Sequence, residues 1–355
     1  MKNNFYNWQD TFSRQTGTNG EFCIVIGARG IGKTFGLRKQ CVKDFLKDGS
    51  RFCEVSRNAA ELPFIMNGYF DKLQAEGFFT EYEFKCEKQA AWIRRAPFDE
   101  EDNPEWEIIG YFVSLTQFQR DKKRTFANVK RIIFDEAILD RKDKHHRYLA
   151  NEFSIFANVV STLLREVPGK PTKGKCYLLG NAADVTAPYL FNLGIKRAPE
   201  FGYSYHNNKH TLLHYVEASD ARERELNTLV GRMLAGSDEA KTMFNNEFLN
   251  AHDEFIADKT SNAKFVYGIK YNKIIFGIWL DYKDGIFYVT EKVPANDTNI
   301  YTLTKSDATI DYIAARRTNT QLQVLIDCFY IGAVRYSSPA IREAFLSVLS
   351  FFGVY

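Results

Sequence analysis

The chain has 355 residues, 45% hydrophobic and 26% charged, which fits a globular protein of about two domains and excludes a wholly disordered one. Forty-seven Lys and Arg against 44 Asp and Glu leave a net charge of +3, so any nucleic-acid contact must come from local patches rather than a global basic field. No apolar run approaches the ~18 residues of a membrane span, and no apolar stretch follows Met1-Lys2-Asn3-Asn4, so a cytosolic chain without a membrane partner is expected. Cys23, Cys41, Cys53, Cys86, Cys176 and Cys328 form no C-x-x-C pair and are expected to be reduced, mostly buried thiols.

In chain order, Phe22-Cys23-Ile24-Val25-Ile26 predicts a short strand ending in a glycine loop, and a helical pattern runs from Lys33 to about Lys47. Further strands are expected at Arg51–Val55, Trp106–Val113, Ile132–Phe134 and Cys176–Gly180. Between the last two, Phe153, Phe156, Val160 and Leu164 recur at helical steps and predict a helix over about Leu149–Arg165. His206, His210 and His214 would share one face of a helix, but Thr211–Val216 reads better as a strand, which argues against a metal site there. Strands alternating with helices predict a mostly parallel sheet.

After residue 217 the texture changes. Ser219–His252 reads as polar helix with a thin apolar stripe of Leu226, Leu229, Met233, Phe244 and Phe248, the pattern of a linker or lid. From Lys264 the pattern is strand-rich. Lys264–Leu280 and Gly285–Val289 flank the turn dipeptide Asp284-Gly285, Val324–Ala333 is an apolar run, and Pro339–Phe352 predicts a closing helix.

Gly27-Ala28-Arg29-Gly30-Ile31-Gly32-Lys33-Thr34 fits the phosphate-loop pattern G-x-x-x-x-G-K-[ST], between a strand and a helix as that pattern requires. Gly27, Arg29, Gly30, Gly32, Lys33 and Thr34 are therefore candidates for binding ATP. Lys33 would reach the β- and γ-phosphates, and the Thr34 hydroxyl would bind Mg²⁺. Ile132-Ile133-Phe134-Asp135-Glu136 is a buried-strand run ending in two carboxylates. Asp135 would hold Mg²⁺, and Glu136 would orient and deprotonate the attacking water. Asn181 ends a further apolar strand, where it would sense the γ-phosphate or simply make a turn. Arg120, Lys122, Lys123, Arg124, Lys130 and Arg131 precede the acidic pair, while Arg141, Lys142, Lys144 and Arg147 follow it. They are either solvated surface charge or contacts to a neighbouring site or a DNA backbone.

These motifs, with Phe52-Cys53-Glu54-Val55-Ser56-Arg57 and Arg147-Tyr148-Leu149-Ala150-Asn151-Glu152, resemble the DNA-packaging ATPases of small, phi 29-like podophages, relatives of the large terminases. The resemblance implies an ATP-driven double-stranded DNA translocase that acts as a ring of five subunits. That ring would sit in the host cytoplasm at the portal vertex of a procapsid, with a packaging RNA as a further partner. It also implies Arg147 as an arginine donated in trans, Lys122 as a second trans-acting base, and Arg57 as a regulator within its own subunit. The expected architecture is an α/β, ASCE-type P-loop NTPase domain over 1–217, a helical linker or lid over 218–262, and a strand-rich, ribonuclease-H-like domain over 263–355. Asp281, Asp284, Glu291 and Asp327 are scattered along that last segment and make a poor two-metal cluster, so no nuclease activity is expected. A stand-alone ATP-dependent nucleic-acid-binding switch and a helicase-type ATPase are the alternatives.

Overall fold

Apolar strands alternating with amphipathic helices build a nine-stranded sheet in the first of two units of the computed structural model. The structure describes residues 6–16, 21–97, 102–121, 123–139, 148–149, 151–164, 174–195, 198–217, 228–234, 237, 246, 248, 255–271, 274–295, 299–309, 313–314, 319–352 and 354. Unit one comprises Met1–Asp184, Asn192–Gly194 and Glu200–Leu249, and unit two Val185–Phe191, Ile195–Pro199 and Asn250–Tyr355.

The strands of unit one are β1 (Phe22–Ile26), β2 (Arg51–Ser56), β3 (Tyr82–Glu87), β4 (Ala90–Arg95), β5 (Glu107–Ser114), β6 (Val129–Ile138), β7 (Lys175–Gly180), β8 (Gly202–His206) and β9 (Thr211–Tyr215). They lie in the order β3-β4-β5-β2-β6-β7-β1-β9-β8. The six central strands from β5 to β9 are parallel, while β3, β4 and β8 are antiparallel additions at the edges. Strands such as Phe22–Ile26 and Cys176–Gly180 read as unbroken apolar runs because both faces of a parallel sheet are covered. Strand β7 separates β1 from β6, so the loop after β1 and the acids of β6 stand two strand spacings apart, about 10 Å.

Two helices shape the glycine loop. Helix α2 (Lys33–Asp48) begins after Gly32 at φ 80 and ends at Gly49 at φ 72, whose N–H donates to Phe45 O at 2.8 Å. Its Leu37, Cys41, Val42 and Phe45 face the sheet and are buried. Helix α1 (Trp8–Gln15) lays Trp8 against Gly36, where a Cβ would stand 2.4 Å from Trp8 Cδ1. The Trp8 indole N–H donates to Lys33 O at 2.8 Å and the Tyr6 N–H to Ile31 O at 2.7 Å.

Of the edge strands, β3, β4 and β8 are not among the expected ones, whereas β9 matches the strand expected over Thr211–Val216. The β3–β4 turn places Lys88 and Gln89 at φ 50 and 59, and the β8–β9 turn places Asn207, Asn208 and Lys209 at φ 49, 52 and 67. The first turn lacks the Asn-Gly or Asp-Gly signature of such geometry, and Arg124 supports it by donating to Gln89 Oε1 at 2.7 Å. His214 accepts or donates at 2.7 Å to the Tyr6 hydroxyl, His210 pairs with Glu21 at 2.7 Å, and His206 lies 2.9 Å from Ser204. The three histidines therefore serve separate local contacts. Of the helix expected over Ser219–His252, Leu229–Leu234 is seen as helix, and most of the remainder lies outside the described residues.

Unit two holds β10 (Lys264–Tyr271), β11 (Ile274–Asp281), β12 (Ile286–Thr290), β13 (Ile300–Thr302), β14 (Ile313–Ala314) and β15 (Val334–Tyr336). Their order is β14-β13-β10-β11-β12-β15, with β10-β11-β12 antiparallel and β13, β14 and β15 added in parallel pairs. The strand expected over Lys264–Leu280 is thus two strands, which pair antiparallel. The apolar run at Val324–Ala333 belongs mainly to a helix, Thr320–Tyr330. Its N-cap Asn319 accepts from Gln321 N and Leu322 N, and it buries Leu322, Leu325 and Ile326. The closing helix is Pro339–Phe351, capped by Ser338. Among the described residues no helix is long and apolar enough to cross a membrane.

Candidate active site

The C-terminal ends of β1, β7 and β6 bring the sequence motifs to one edge of the sheet, where ligands bind in open α/β folds. Gly27 N donates to Gly180 O at 3.0 Å, fastening the start of the glycine loop to the end of β7. Gly30 and Gly32 adopt φ 77 and 80, positions where a side chain would be strained. Lys33 Nζ donates to Gly27 O at 2.6 Å, to Ala28 O at 2.9 Å and to Asn181 Oδ1 at 3.4 Å. Lys33 is only 8% exposed. Burial pushes its ammonium down to about 8, with Asp135 opposing that shift and the exposed Arg29 adding to it.

The Thr34 hydroxyl donates to Asp135 Oδ2 at 2.6 Å, and Asp135 Oδ1 accepts from Glu136 N at 3.0 Å. Two hard oxygen donors, one in the first turn of α2 and one near the end of β6, match what Mg²⁺ takes from a protein when its other ligands are water and phosphate. The residues present therefore fit that ion. Glu136 is exposed and has φ 53, a left-handed conformation that costs a non-glycine residue about 1–3 kcal/mol unless its surroundings hold it. The β6–β7 register shifts between Phe134 and Ile138, so the two acids sit on a bulge.

Arg57, at the end of β2, supports that bulge from inside the protein. It is 5% exposed, and its Nε donates to both carboxylate oxygens of Glu152, at 3.1 and 2.9 Å. Its Nη1 and Nη2 lie 3.5 and 3.4 Å from the carbonyl oxygens of Glu136 and Ala137, and its guanidinium lies over the rings of Phe134 and Tyr148. Glu152 Oε2 also accepts from Leu149 N at 2.7 Å, and the Tyr148 hydroxyl accepts from Leu139 N at 2.9 Å. Reading the sequence assigned Glu152 no role. Its position in the helix Glu152–Leu163 relates it to Arg57 only through the tertiary fold.

The basic residues around β6 divide. Arg131 pairs with Asp44 and donates to the Tyr177 hydroxyl at 2.6 Å, and Arg124 braces the β3–β4 turn. Arg120 and Lys123 are exposed. Lys122, Arg141, Lys142, Lys144 and Arg147 lie outside the described residues.

A family profile described as "Podovirus DNA encapsidation protein (Gp16)" matches residues 1–350. The chain belongs to this family. Within it, the DNA packaging protein of Bacillus phage B103 is 29% identical over 321 residues, covering 90% of this chain and 93% of that protein. The DNA packaging protein of Bacillus phage phi29 is 28% identical over 346 residues, 96% of each. Among solved structures, a chain of the bacteriophage Phi-29 viral genome packaging motor assembly superposes with a TM-score of 0.68 at 26% identity, covering 98% of this chain and 99% of that one. A chain of the Phi-28 gp11 DNA packaging motor shares the fold at 17% identity, with a TM-score of 0.62 over 99% and 98% of the two chains. The encapsidation-family likeness thus spans both units rather than the glycine-loop half alone.

Proposed function

We propose that this protein is an ATP-driven double-stranded DNA translocase that packages a phage genome into a procapsid as a ring motor. The observation that carries the reading is the meeting of Lys33, Thr34, Asp135 and Asn181 at one sheet edge, with Glu136 beside them. The near end-to-end likeness to DNA packaging proteins supplies the polymer. The strand order, with β7 between the loop strand and the acid strand, supports an ASCE-type P-loop domain.

In this reading the loop N–H groups and Lys33 hold the phosphates at the start of α2, and Asn181 lies where it meets the γ-phosphate. Thr34 and Asp135 hold Mg²⁺, which neutralises charge on the phosphate oxygens. Glu136 Oε orients a water and takes its proton as the water attacks. Arg57 and Glu152 keep the Glu136 bulge in place, which suits a regulator within the same subunit. Arg147 and Lys122 reach a neighbour's site in a ring of five at the portal vertex, with packaging RNA as a further partner. Their roles rest on the family likeness.

Unit two is read as a ribonuclease-H-like domain without a metal centre. The β10-β11-β12 meander with β13 and β14 added parallel to β10 supports that fold. Asp281 accepts from the Thr260 hydroxyl, Lys283 N and Asp284 N, so its carboxylate closes the β11–β12 turn. Asp327 is exposed on a helix, and Glu291 accepts from Ser337 at 2.7 Å. Asp281 and Glu291 thus have separate local uses.

The test is ATP hydrolysis by the full chain with and without linear duplex DNA, with the DNA analysed afterwards. The expected result is DNA-stimulated hydrolysis in Mg²⁺ or Mn²⁺, with neither strand separation nor cleavage. Unwinding would indicate a helicase, and hydrolysis indifferent to DNA a stand-alone switch. Cleavage abolished by Asp281→Ala or Asp327→Ala would restore the nuclease.

The state of Lys33 makes a second expectation. Its ammonium loses its proton near pH 8 in the protein alone, whereas phosphate oxygens favour the charged form and raise that value. Above pH 8 the bound form therefore holds more protons than the free form, so ATP affinity falls as pH rises and is flat well below 8. Calorimetry at about pH 8.5 in two buffers of different ionisation enthalpy should register uptake of up to roughly three-quarters of a proton per ATP. No uptake would contradict the contact between Lys33 and the phosphates.

A further inference from the structure

Asn246 is fully buried, and it reaches the nucleotide edge of the sheet from 31 residues beyond the end of β9. Its backbone has φ 57, a conformation Asn tolerates better than most residues. Its side-chain amide is used at both ends. Nδ2 donates to Ile26 O at 3.2 Å and to Val216 O at 3.0 Å, while Oδ1 accepts from Ala182 N at 3.1 Å. The Tyr215 hydroxyl donates to the Asn246 carbonyl.

The three partners are telling. Ile26 immediately precedes Gly27, the first residue of the phosphate loop, and Ala182 immediately follows Asn181. Val216 closes the end of β9, and its own N–H donates to Ile26 O at 2.8 Å. Asn246 thus pins both sides of the gap that Lys33 spans when it contacts Gly27, Ala28 and Asn181. No other side chain of the twenty could reproduce one acceptor and two donors at this size in this backbone conformation.

We propose that Asn246 is a positioning residue for nucleotide binding. It fixes the spacing between the phosphate loop and Asn181, and so is itself a structural part of the ATP site. The inference rests on the ATPase reading above. A phosphate cradle built of backbone N–H groups depends on where its strand ends are held, and misplacement by about 1 Å can lower a rate or affinity by 10²-fold.

The experiment measures binding of a fluorescent ATP analogue with Mg²⁺, steady-state hydrolysis, and melting without nucleotide, on the full chain. Asn246→Gly removes the amide and tolerates the positive φ. Asn246→Asp keeps the acceptor for Ala182 N but turns a carboxylate toward two carbonyl oxygens. Both should weaken nucleotide binding by roughly ten- to a hundredfold and raise KM by a similar factor. The kcat at saturation should be kept within about threefold, because Glu136 stands on a different strand. A purely structural Asn246 would instead lower the melting temperature and leave the affinity of the folded fraction unchanged. That outcome overturns the inference. If neither variant folds, Tyr215→Phe carries the test, since it removes only the hydroxyl that holds the Asn246 backbone. A weaker affinity supports the proposal, and an unchanged one overturns it. Failure of the parent protein to bind nucleotide would remove the ATPase reading and this inference together, whereas intact parent binding with unaltered variants would remove the inference alone.

Discussion

Glu136→Gln is expected to bind ATP as tightly as the parent and to hydrolyse it ~10²–10⁴-fold more slowly, the range of a lost general base. The amide is isosteric, so the bulge that carries residue 136 should survive. Its backbone N–H still donates to Asp135, and the Arg57 guanidinium still faces the carbonyl oxygens of residues 136 and 137. The contacts of Lys33 and Thr34 are untouched, which is why binding is spared. The lost property is proton acceptance. Single-turnover hydrolysis alongside equilibrium binding separates the two effects. A parent-like rate would remove Glu136 as the base, whereas loss of binding would mean that the substitution had disturbed the loop rather than the chemistry.

Arg147→Ala is expected to lower hydrolysis by a larger factor still, ~10³–10⁵, if its guanidinium stabilises charge on the transferring phosphoryl group of a neighbouring subunit. ATP binding to the variant should be normal, because the phosphate loop belongs to the same chain as its own Lys33. The deciding feature is complementation. In a mixed ring some interfaces unite an intact Glu136 from the Arg147→Ala subunit with an intact arginine from the Glu136→Gln subunit. The mixture should therefore hydrolyse ATP faster than either variant alone. A mixture no more active than its components would place both residues in one site and remove the trans role.

The parts of this site that were legible in the sequence are those encoded by neighbours along the chain. The phosphate loop is eight contiguous residues between a strand and a helix, and Asp135-Glu136 is a pair at the end of an apolar run. Local patterning of this kind needs no knowledge of the fold. What the pattern did not carry is pairing across the fold. Arg57 and Glu152 are 95 residues apart and meet only because β2 lies beside β6. Asn246 sits in a polar stretch that reads as linker, and its significance lies entirely in three backbone groups of distant strands. The β3–β4 hairpin was hidden for another reason. Its turn holds Lys88 and Gln89 at positive φ, so the usual glycine or asparagine signal is missing and Arg124 supplies the support instead. In unit two, only Asn272-Lys273 separate β10 from β11, and with no glycine or proline to mark the break, periodicity alone merged the two strands into one.

The central claim is that ATP hydrolysis by this chain drives duplex DNA into a procapsid, and the most direct measurement is protection of DNA from nuclease. Purified protein, procapsids with any required packaging RNA, linear DNA, Mg²⁺ and ATP are combined, and DNase is added after packaging. The account predicts genome-length protected DNA that depends on ATP and disappears with Glu136→Gln. Protection that persists with Glu136→Gln, or DNA that stays fully digestible while ATP is hydrolysed at the parent's DNA-stimulated rate, would contradict it.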